Sequence, residues 1–278
     1  MLNLDTAVVF LTPVLLHAAR GRGVPEEPFL YGAVFMANSA SLLLPGANLT
    51  NLIVLANEHV SGSTFAARFA PAWCVSVAIT IGFVWVVFRR ELAHETAHEL
   101  ERSGLRVGPG SIGVAAAAVL VLVLAKPALP VLALGLVVAL AGRLGVRNAA
   151  HAANPLLLLA LLATCVGLGT LARTTSVGTL VTHSGRWVTA WAAAGASVAI
   201  NNLPATVLLS SHPPAHPRAL LLGLDLGPNL AVTGSLAAVL WLQVARRTGA
   251  RPSIVRYSLL GLVLVPATLA ASLLVNAA

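Results

Sequence analysis

The chain has 278 residues, of which 58% are hydrophobic and 9% are charged, and its formal net charge is +8. Soluble domains carry about 25% charged residues, so this composition excludes an ordinary water-soluble globule. The basic residues flank apolar segments and do not form a run interleaved with stacking aromatic side chains, which argues against a nucleic-acid-binding surface. We therefore interpret the positive charge as a signal for the orientation of the chain in the membrane and not as a surface for an acidic partner.

Apolar segments follow one another along the whole chain. They lie approximately at residues 4–19, 30–55, 65–88, 112–125, 128–141, 155–172, 187–209, 218–245 and 257–275. Apolar runs of roughly 18 residues or more are typical of membrane-spanning helices. We therefore predict an all-α, polytopic membrane protein. Cys74 and Cys165 both lie inside apolar segments, which predicts small buried hydrophobic side chains and neither a disulfide nor a metal-thiolate site.

Two of the long segments are interrupted near their centres by polar and helix-breaking residues. The first interruption runs over residues 38–48 and contains Pro45, and the second runs over residues 225–235 and contains Gly227 and Pro228. Proline removes a backbone donor and clashes with the preceding helical turn. At membrane depth, irregular backbone is tolerated only around a buried cavity. The pattern predicts two broken helices that line such a cavity.

A weak internal repeat relates the two halves of the chain. Residues 3–11 align with residues 201–209 without a gap, and the two interruptions align with Asn38 on Asp225. Interrupted segments at corresponding positions of two halves indicate the binding site of a secondary transporter. The repeat therefore predicts that both interruptions contribute to one site.

The distribution of Arg and Lys predicts the orientation. We interpret residues 187–209 as a re-entrant hairpin with Asn201 and Asn202 at its tip, and residues 112–141 as two short helices. The basic residues then divide 12 to 5, which makes the richer side cytoplasmic and the repeats inverted. A single crossing at 112–141 gives a split of only 9 to 7 and leaves Lys126 buried, so two crossings fit better.

This organisation predicts three regions. Residues 1–88 form a partial first repeat, with the outgoing arm of a hairpin, a broken helix and the following span. Residues 89–111 form a charged cytoplasmic loop. Residues 112–278 form the second repeat, with two short helices, a span, a re-entrant hairpin, a broken helix and the last span.

Two carboxylates, Asp5 and Asp225, stand apart because the other seven lie in connectors. An Asp at membrane depth costs about 2.5 to 3.5 kcal/mol, so we expect these two to couple transport to a proton or Na⁺. The alternative is that each caps a broken helix end. Most neighbouring polar side chains are neutral, which suits a small hydroxylated solute. The candidate solute- or ion-binding residues are Asn3, Asp5, Thr6, Asn38, Ser39, Ser41, Asn48, Asn201, Asn202, Thr206, Asp225, Asn229, Thr233 and Ser235.

The segment His94-Glu95-Thr96-Ala97-His98 matches the H-E-x-x-H zinc motif, which on a helix places two imidazoles on one face. It lies in a charged stretch without an apparent third ligand, whereas a catalytic zinc site needs three protein ligands in a shaped cavity. We favour a short amphipathic cytoplasmic helix with paired charges. An intramembrane zinc metalloprotease remains the alternative function of a different class, and we expect no enzyme activity, bound metal or other cofactor.

The motif Leu222-Gly223-Leu224-Asp225-Leu226-Gly227-Pro228-Asn229, with Asn201-Asn202-Leu203-Pro204 and Leu11-Thr12-Pro13, closely resembles arsenite efflux permeases of the ion transporter superfamily. The resemblance covers essentially the whole chain. It implies two inverted repeats, each with a re-entrant hairpin and a broken helix, that meet at a site halfway through the plasma membrane. It also implies a multi-pass protein that exports arsenite or antimonite, with export driven by the proton motive force or by an ATPase subunit. A homodimer is a further candidate assembly.

Relatives in the same superfamily move dicarboxylates, citrate, silicic acid or Na⁺ against H⁺, so such a carrier is the alternative of the same class. Family members carry helices before the position of Asn3, and we therefore expect this chain to be truncated at its N-terminus and consider an inactive partial transporter. At the first tip the family tends to have adjacent Asn and Asp, whereas this chain has Asn3-Leu4-Asp5. Neither cysteine maps to a tip, so thiolate capture of arsenic is not expected.

Overall fold

The computed structural model describes residues 4–55, 60–93, 116, 119–120, 128–141, 155–174, 179 and 181–276. Within these residues the secondary structure is helical and contains no strand, in agreement with the predicted all-α class. The predicted loop at residues 89–111 lies outside the described part beyond Ala93, and so does most of the predicted helix at residues 112–125. The proposed zinc-binding residues His94, Glu95 and His98 also lie outside it.

Twelve α-helices are present in this described part of the chain. They are α1 (Leu4–Gly21), α2 (Glu27–Ala40), α3 (Leu49–Val54), α4 (Gly62–Val87), α5 (Arg89–Leu92), α6 (Ala128–Ala141), α7 (Pro155–Thr174), α8 (Arg186–Ile200), α9 (Asn202–Leu209), α10 (Pro217–Leu226), α11 (Leu236–Arg247) and α12 (Ile254–Val275).

Helices α4 and α12 are long and apolar enough to cross a membrane, judged by length and composition. Several of their large apolar side chains point outward, among them Trp85 on α4 and Leu262 on α12, which are about 60% exposed. A surface of exposed apolar side chains on long helices is what contact with lipid requires, because water-soluble proteins bury most such groups.

The first predicted interruption is a break in a helix. Helix α2 ends at Ala40, two short 3₁₀ turns follow at Ser41–Leu43 and Pro45–Ala47, and α3 restarts at Leu49. Leu44 separates the turns in an extended conformation. Asn48 is also extended, and its side-chain oxygen accepts a hydrogen bond from the backbone N–H of Thr50. Asn48 is therefore the N-cap of α3.

The second interruption repeats this order of elements, with one residue more in its first 3₁₀ turn. After α10, two 3₁₀ turns at Gly227–Leu230 and Val232–Gly234 flank the extended residue Ala231. Ser235 is extended and caps α11 by accepting a hydrogen bond from Ala238 N–H. The sequence alignment places Ser235 on Asn48, and the structure gives these two residues the same capping role. Both predicted broken helices are thus confirmed, whereas the inversion of the repeats stays a prediction.

Helices α8 and α9 form a hairpin whose tip is Asn201. Asn201 has φ +75° and ψ +149°, and its side-chain oxygen accepts a hydrogen bond from Leu203 N–H. Among the described residues it is the one non-glycine with positive φ. This pair of angles lies outside the left-handed helical region, in a part of conformational space that glycine alone adopts easily, so the backbone at Asn201 is strained. The predicted turn at this position is therefore present.

Small residues bring the second break close to the hairpin. Gly223 on α10 and Gly227 directly after it lie four residues apart and face Ala190 and Ala194 of α8, and a Cβ added to Gly227 would be 2.5 Å from Ala194 Cα. Close backbone approach through small residues spaced by four is typical of helix packing in membranes. Any larger side chain at these glycines would push α10 away from the hairpin.

An aromatic cluster joins the N-terminal helices to the C-terminal ones. Trp241 of α11 donates a hydrogen bond from Nε1 to Leu30 O at 2.8 Å, and its ring lies against Tyr31 and Tyr257, with centroid distances of 5.6 and 5.5 Å. The Tyr257 hydroxyl donates to Pro228 O at 3.1 Å, inside the second break. Buried aromatic rings with bonded polar ends fix neighbouring helices in one arrangement.

Candidate functional site

The two breaks meet at Asp225. This residue lies in the last turn of α10 and is fully buried. Its Oδ1 accepts a hydrogen bond from Asn48 Nδ2 at 2.8 Å and another from Thr50 Oγ1 at 2.7 Å. Asn48 and Thr50 belong to the start of α3, so the carboxylate of one broken helix is held by the other. This contact joins residues that are about 175 positions apart in sequence.

A second polar contact joins the breaks beside the first. Asn38 Nδ2 donates to Asn229 Oδ1 at 2.8 Å, and Asn229 Nδ2 donates in turn to Phe35 O at 3.3 Å. Asn38 therefore faces the later residue of the second break, whereas Asn48 faces the earlier one, Asp225. Partners that run in opposite chain order indicate that the two breaks cross in an antiparallel sense.

Asn51 binds the backbone that the first break releases. Its Nδ2 donates to Ser41 O at 3.1 Å and to Leu44 O at 3.3 Å. Carbonyl groups at the end of a helix lack partners within it, and a buried helix end needs them from elsewhere. The Asn51 amide also lies beside the Asp225 carboxyl group. Asn51 therefore contacts both the backbone of the first break and the surroundings of the Asp225 carboxylate.

Three buried oxygens around this crossing have no hydrogen-bond donor among the described residues: Asp225 Oδ2, Asn38 Oδ1 and Asn51 Oδ1. Buried polar atoms in proteins are nearly always bonded, so lone acceptors at a single place require an explanation. A proton, a cation or the donor groups of a solute would each satisfy them. The residues of this cluster are at most 5% exposed, so the crossing is closed to solvent in this conformation.

Ser39 and Ser41 make their hydroxyl contacts elsewhere. Ser39 Oγ lies 2.9 Å from Thr80 Oγ1 on α4, and Ser76 Oγ donates to the Ser39 carbonyl. Ser41 Oγ donates to Asn38 O at 2.7 Å. These hydroxyls brace the first break against α4 and against itself. The structure thus gives both serines a supporting position beside the crossing.

The hairpin tip contacts the second break. Asn201 Nδ2 donates to Thr233 O at 3.1 Å, and Thr233 Oγ1 donates to Val198 O at 3.2 Å. Asn202 is buried at the start of α9, where its carbonyl accepts a hydrogen bond from Thr206 Oγ1 at 2.6 Å. The second half therefore brings its predicted tip and break residues together.

The first predicted tip is described less fully. Asn3 lies outside the described residues, and the side chain of Thr6 does as well. Asp5 lies in the first turn of α1 and is half-buried. A carboxylate in the first turn of a helix interacts favourably with the helix dipole. Its role in coupling stays a prediction.

Thr50 and Asn51 are site residues that the sequence analysis missed. Both are fully buried and both adjoin Asp225. The signal was available, because Asn48-Leu49-Thr50-Asn51 places three polar residues within four positions of an apolar segment, directly after Pro45-Gly46-Ala47. The charge of Asp225 marks it in the sequence. The contacts that Thr50 and Asn51 make with it can be identified only once the crossing of the two breaks is known.

A cavity of about 610 Å³ lies between α1, α2 and α4, and it reaches the first break at Ser41 and Ala47. Its remaining wall is apolar, with Phe29, Met36 and Trp85 among the side chains that line it. Such a wall offers almost no hydrogen bonds to a hydroxylated or charged solute. For such a solute, the polar crossing at Asp225 is therefore a better candidate site than this apolar cavity.

The sequence model of the CitMHS family, described as citrate transporter, matches residues 1–224. The chain belongs to the citrate transporter family. The match includes the first break, the hairpin and most of α10. The description of this family is that of a solute carrier in a membrane, and no comparison supports the alternative of a zinc protease. Within the described residues, no group of three His, Cys, Asp or Glu side chains is placed to hold a metal ion.

A relative supports the assignment to carriers. The silicon efflux transporter LSI3 of Oryza sativa subsp. japonica is 31% identical over 88 residues, which cover 32% of this chain and 18% of the relative. The matched part thus spans less than a fifth of that protein. No solved structure matches the transporter significantly. The comparisons support a member of the citrate transporter family, with similarity to an efflux carrier, and do not identify the arsenite-specific family.

Proposed function

We propose that the protein is a secondary transporter that exports arsenite or antimonite across the plasma membrane and couples this export to a proton or Na⁺ at Asp225. The observation that carries the proposal is the antiparallel crossing of two broken helices around one buried carboxylate. Interrupted helices that meet inside the membrane form the binding sites of secondary transporters.

Asp225 supports the coupling part of the proposal. A buried carboxylate without full compensation is costly, and its lone Oδ2 atom invites neutralisation by a proton or a cation. Its other oxygen is bound to Asn48 and Thr50 of the opposite break. Neutralisation of the carboxyl group would weaken these two bonds, because hydrogen bonds to ionised acceptors are stronger than bonds to neutral ones. Ion binding and the contact between the breaks are therefore linked.

The chemistry of the crossing favours a small neutral solute. Its described hydrogen-bonding groups are amides and hydroxyls around a single acidic group, and no Arg or Lys takes part in these described bonds. Arsenous acid and its antimony counterpart are neutral hydroxyl compounds near pH 7, and they both donate and accept hydrogen bonds. The efflux relative is named for silicon, and silicic acid has the same neutral, hydroxylated character.

Citrate is the second candidate, and the family match favours it. A tricarboxylate needs cationic partners when it leaves water, because unpaired buried charge is very costly. The hydrogen bonds described at the crossing involve no cationic side chain, and their one charged group, the Asp225 carboxylate, is itself negative. Export of citrate or a dicarboxylate through this site would therefore require accompanying cations.

Solute flux in everted membrane vesicles separates these candidates. The vesicles contain either the unaltered chain, the Asp225→Asn variant or the Glu26→Gln variant, which alters a partly exposed connector carboxylate paired with Arg20. We expect uptake of arsenite that depends on a proton or Na⁺ gradient, loss of gradient dependence in Asp225→Asn and unchanged flux in Glu26→Gln. Robust citrate flux without arsenite flux would overturn the proposed solute, and full gradient dependence in Asp225→Asn would overturn the coupling role.

We further propose that the protein is multi-pass with inverted repeats and that it works either as a homodimer or with an ATPase subunit. The antiparallel order of the contacts between the breaks supports the inversion. Labelling of single cysteines placed in the loops at residues 22–26 and 248–253, predicted cytoplasmic, and 211–216, predicted external, tests the topology. We expect a membrane-impermeant reagent to label residues 22–26 and 248–253 from one side of the membrane and residues 211–216 from the other.

A further inference from the structure

We propose that a cleft at the N-terminal ends of α8 and α10 binds an oxyanion, namely a phosphate or carboxylate group, through Arg186, Arg218 and Asn276. The cleft has a volume of about 200 Å³ and is lined by these residues together with His216. It lies apart from the crossing at Asp225, because Arg218 precedes Asp225 by seven residues, about 10 Å along α10. The proposal does not depend on the proposed transport function.

Each polar residue that lines this cleft carries at least one hydrogen-bond donor. Arg186 and Arg218 contribute guanidinium groups, Asn276 contributes an amide and His216 an imidazole, whereas no carboxylate is among the described residues that line the cleft. A guanidinium carries five N–H donors, so an arginine that already has one partner still has donors for a ligand. Two guanidinium groups beside one cleft are suited to phosphate or carboxylate, which they bind with paired hydrogen bonds.

Asn276 provides an independent indication of a ligand. It follows the last residue of α12, and its Nδ2 atom is buried without an acceptor among the described residues. A buried donor that lacks an acceptor is destabilising, so such atoms in native proteins usually have a partner. An oxyanion in the cleft supplies an acceptor oxygen.

The helix ends at this cleft add to the attraction for an anion. Helix α8 begins at Arg186 and α10 begins at Pro217, and neither has a side-chain hydrogen bond that caps its first turn. By contrast, α9, α11 and α12 are capped by Asn201, Ser235 and Ser253. Uncapped first-turn N–H groups carry partial positive charge and favour anions.

The remaining wall contains Leu222 and Leu273 beside the polar groups. An apolar wall next to an anion-binding wall suits the phosphate of a lipid headgroup as well as a soluble phosphate or carboxylate. Both ligands present the same oxygens to the arginines, so the recognition chemistry is shared. The two sources differ in whether binding requires a lipid.

Binding measurements on the purified full chain test the proposal. Soluble anions are probed by thermal unfolding in neutral detergent with inorganic phosphate or citrate, and lipid is probed by native mass spectrometry with phosphatidylglycerol against phosphatidylcholine. We expect saturable binding of at least one probe and a loss of affinity of about tenfold in Arg186→Gln and in Arg218→Gln, since each removes charged hydrogen bonds. The control Arg251→Gln alters an exposed arginine outside the cleft and should bind unchanged.

The outcomes are distinct. Saturation by phosphate or citrate assigns a soluble anion, whereas retention of phosphatidylglycerol alone assigns a lipid headgroup. Arg218→Lys should recover part of the affinity and verifies that loss of charge, not misfolding, weakens Arg218→Gln. The proposal is overturned if no probe saturates, or if the two glutamine variants bind as tightly as Arg251→Gln.

Discussion

Asn48 Nδ2 lies 2.8 Å from Asp225 Oδ1, so the residue that caps one half of the first broken helix also holds the carboxylate of the second. Asn48 uses both ends of its amide, because its oxygen accepts a hydrogen bond from Thr50 N–H while its nitrogen donates to Asp225. One side chain thus fixes both the start of α3 and the contact between the breaks.

The pair predicts a rescue by exchange of its two side chains. Asn48→Asp places two carboxylates together in a buried site, so we expect a clear fall in the apparent melting temperature of the purified protein. The double variant Asn48→Asp/Asp225→Asn restores one donor and one acceptor and should recover most of the loss. Equal stability of the single and double variants would show that the contact contributes little to the fold.

Thr50 provides a test of the hydrogen bond alone. Thr50→Val preserves the shape of the side chain but removes the hydroxyl that donates to Asp225 at 2.7 Å. Because the acceptor is a buried carboxylate, we expect a loss of about 1.5 to 3 kcal/mol in the free energy of unfolding. Thr50→Ser keeps the hydroxyl and is the matched control. A Val variant as stable as the Ser variant would contradict the expected role of this bond.

Local signals predicted the helices and their breaks because the causes are local. Pro45 and Pro228 each lack a backbone N–H, which disfavours continuation of the preceding helix, and polar residues close to them mark the buried irregular backbone. Which side chains meet was not predictable in the same way. The bond from Thr50 to Asp225 depends on how two distant segments cross, and no periodicity in either segment encodes the partner in the other.

Gly261 of α12 lies directly against the second break, and a Cβ at this position would collide with Asn229 O and would be 2.7 Å from Leu230 Cα. We expect Gly261→Ala to displace the 3₁₀ turn that carries Asn229 and to cost about 1 to 3 kcal/mol through overpacking. Gly82→Ala on α4 meets nothing within 4 Å and should be neutral or stabilising by up to about 1 kcal/mol. Thermal unfolding of both variants measures the difference, and a similar response from the two would argue against close packing at Gly261.

Asn201 combines an unusual backbone conformation with two side-chain bonds, and substitution can separate these contributions. Asn201→Gly relieves the positive φ but removes the cap of α9 and the bond to Thr233 O. Asn201→Ala loses the same bonds and also retains the strain, which costs about 1 to 3 kcal/mol for a residue forced into this region. We therefore expect the Ala variant to be the less stable by roughly that amount in thermal unfolding. If the tip also positions the second break for solute, the Gly variant should fold well but transport poorly, because the Thr233 carbonyl loses its hydrogen bond from Asn201. Equal stability of the two variants would show that the chain readily leaves the positive-φ conformation, and the hairpin tip would then not be the rigid turn that the structure describes.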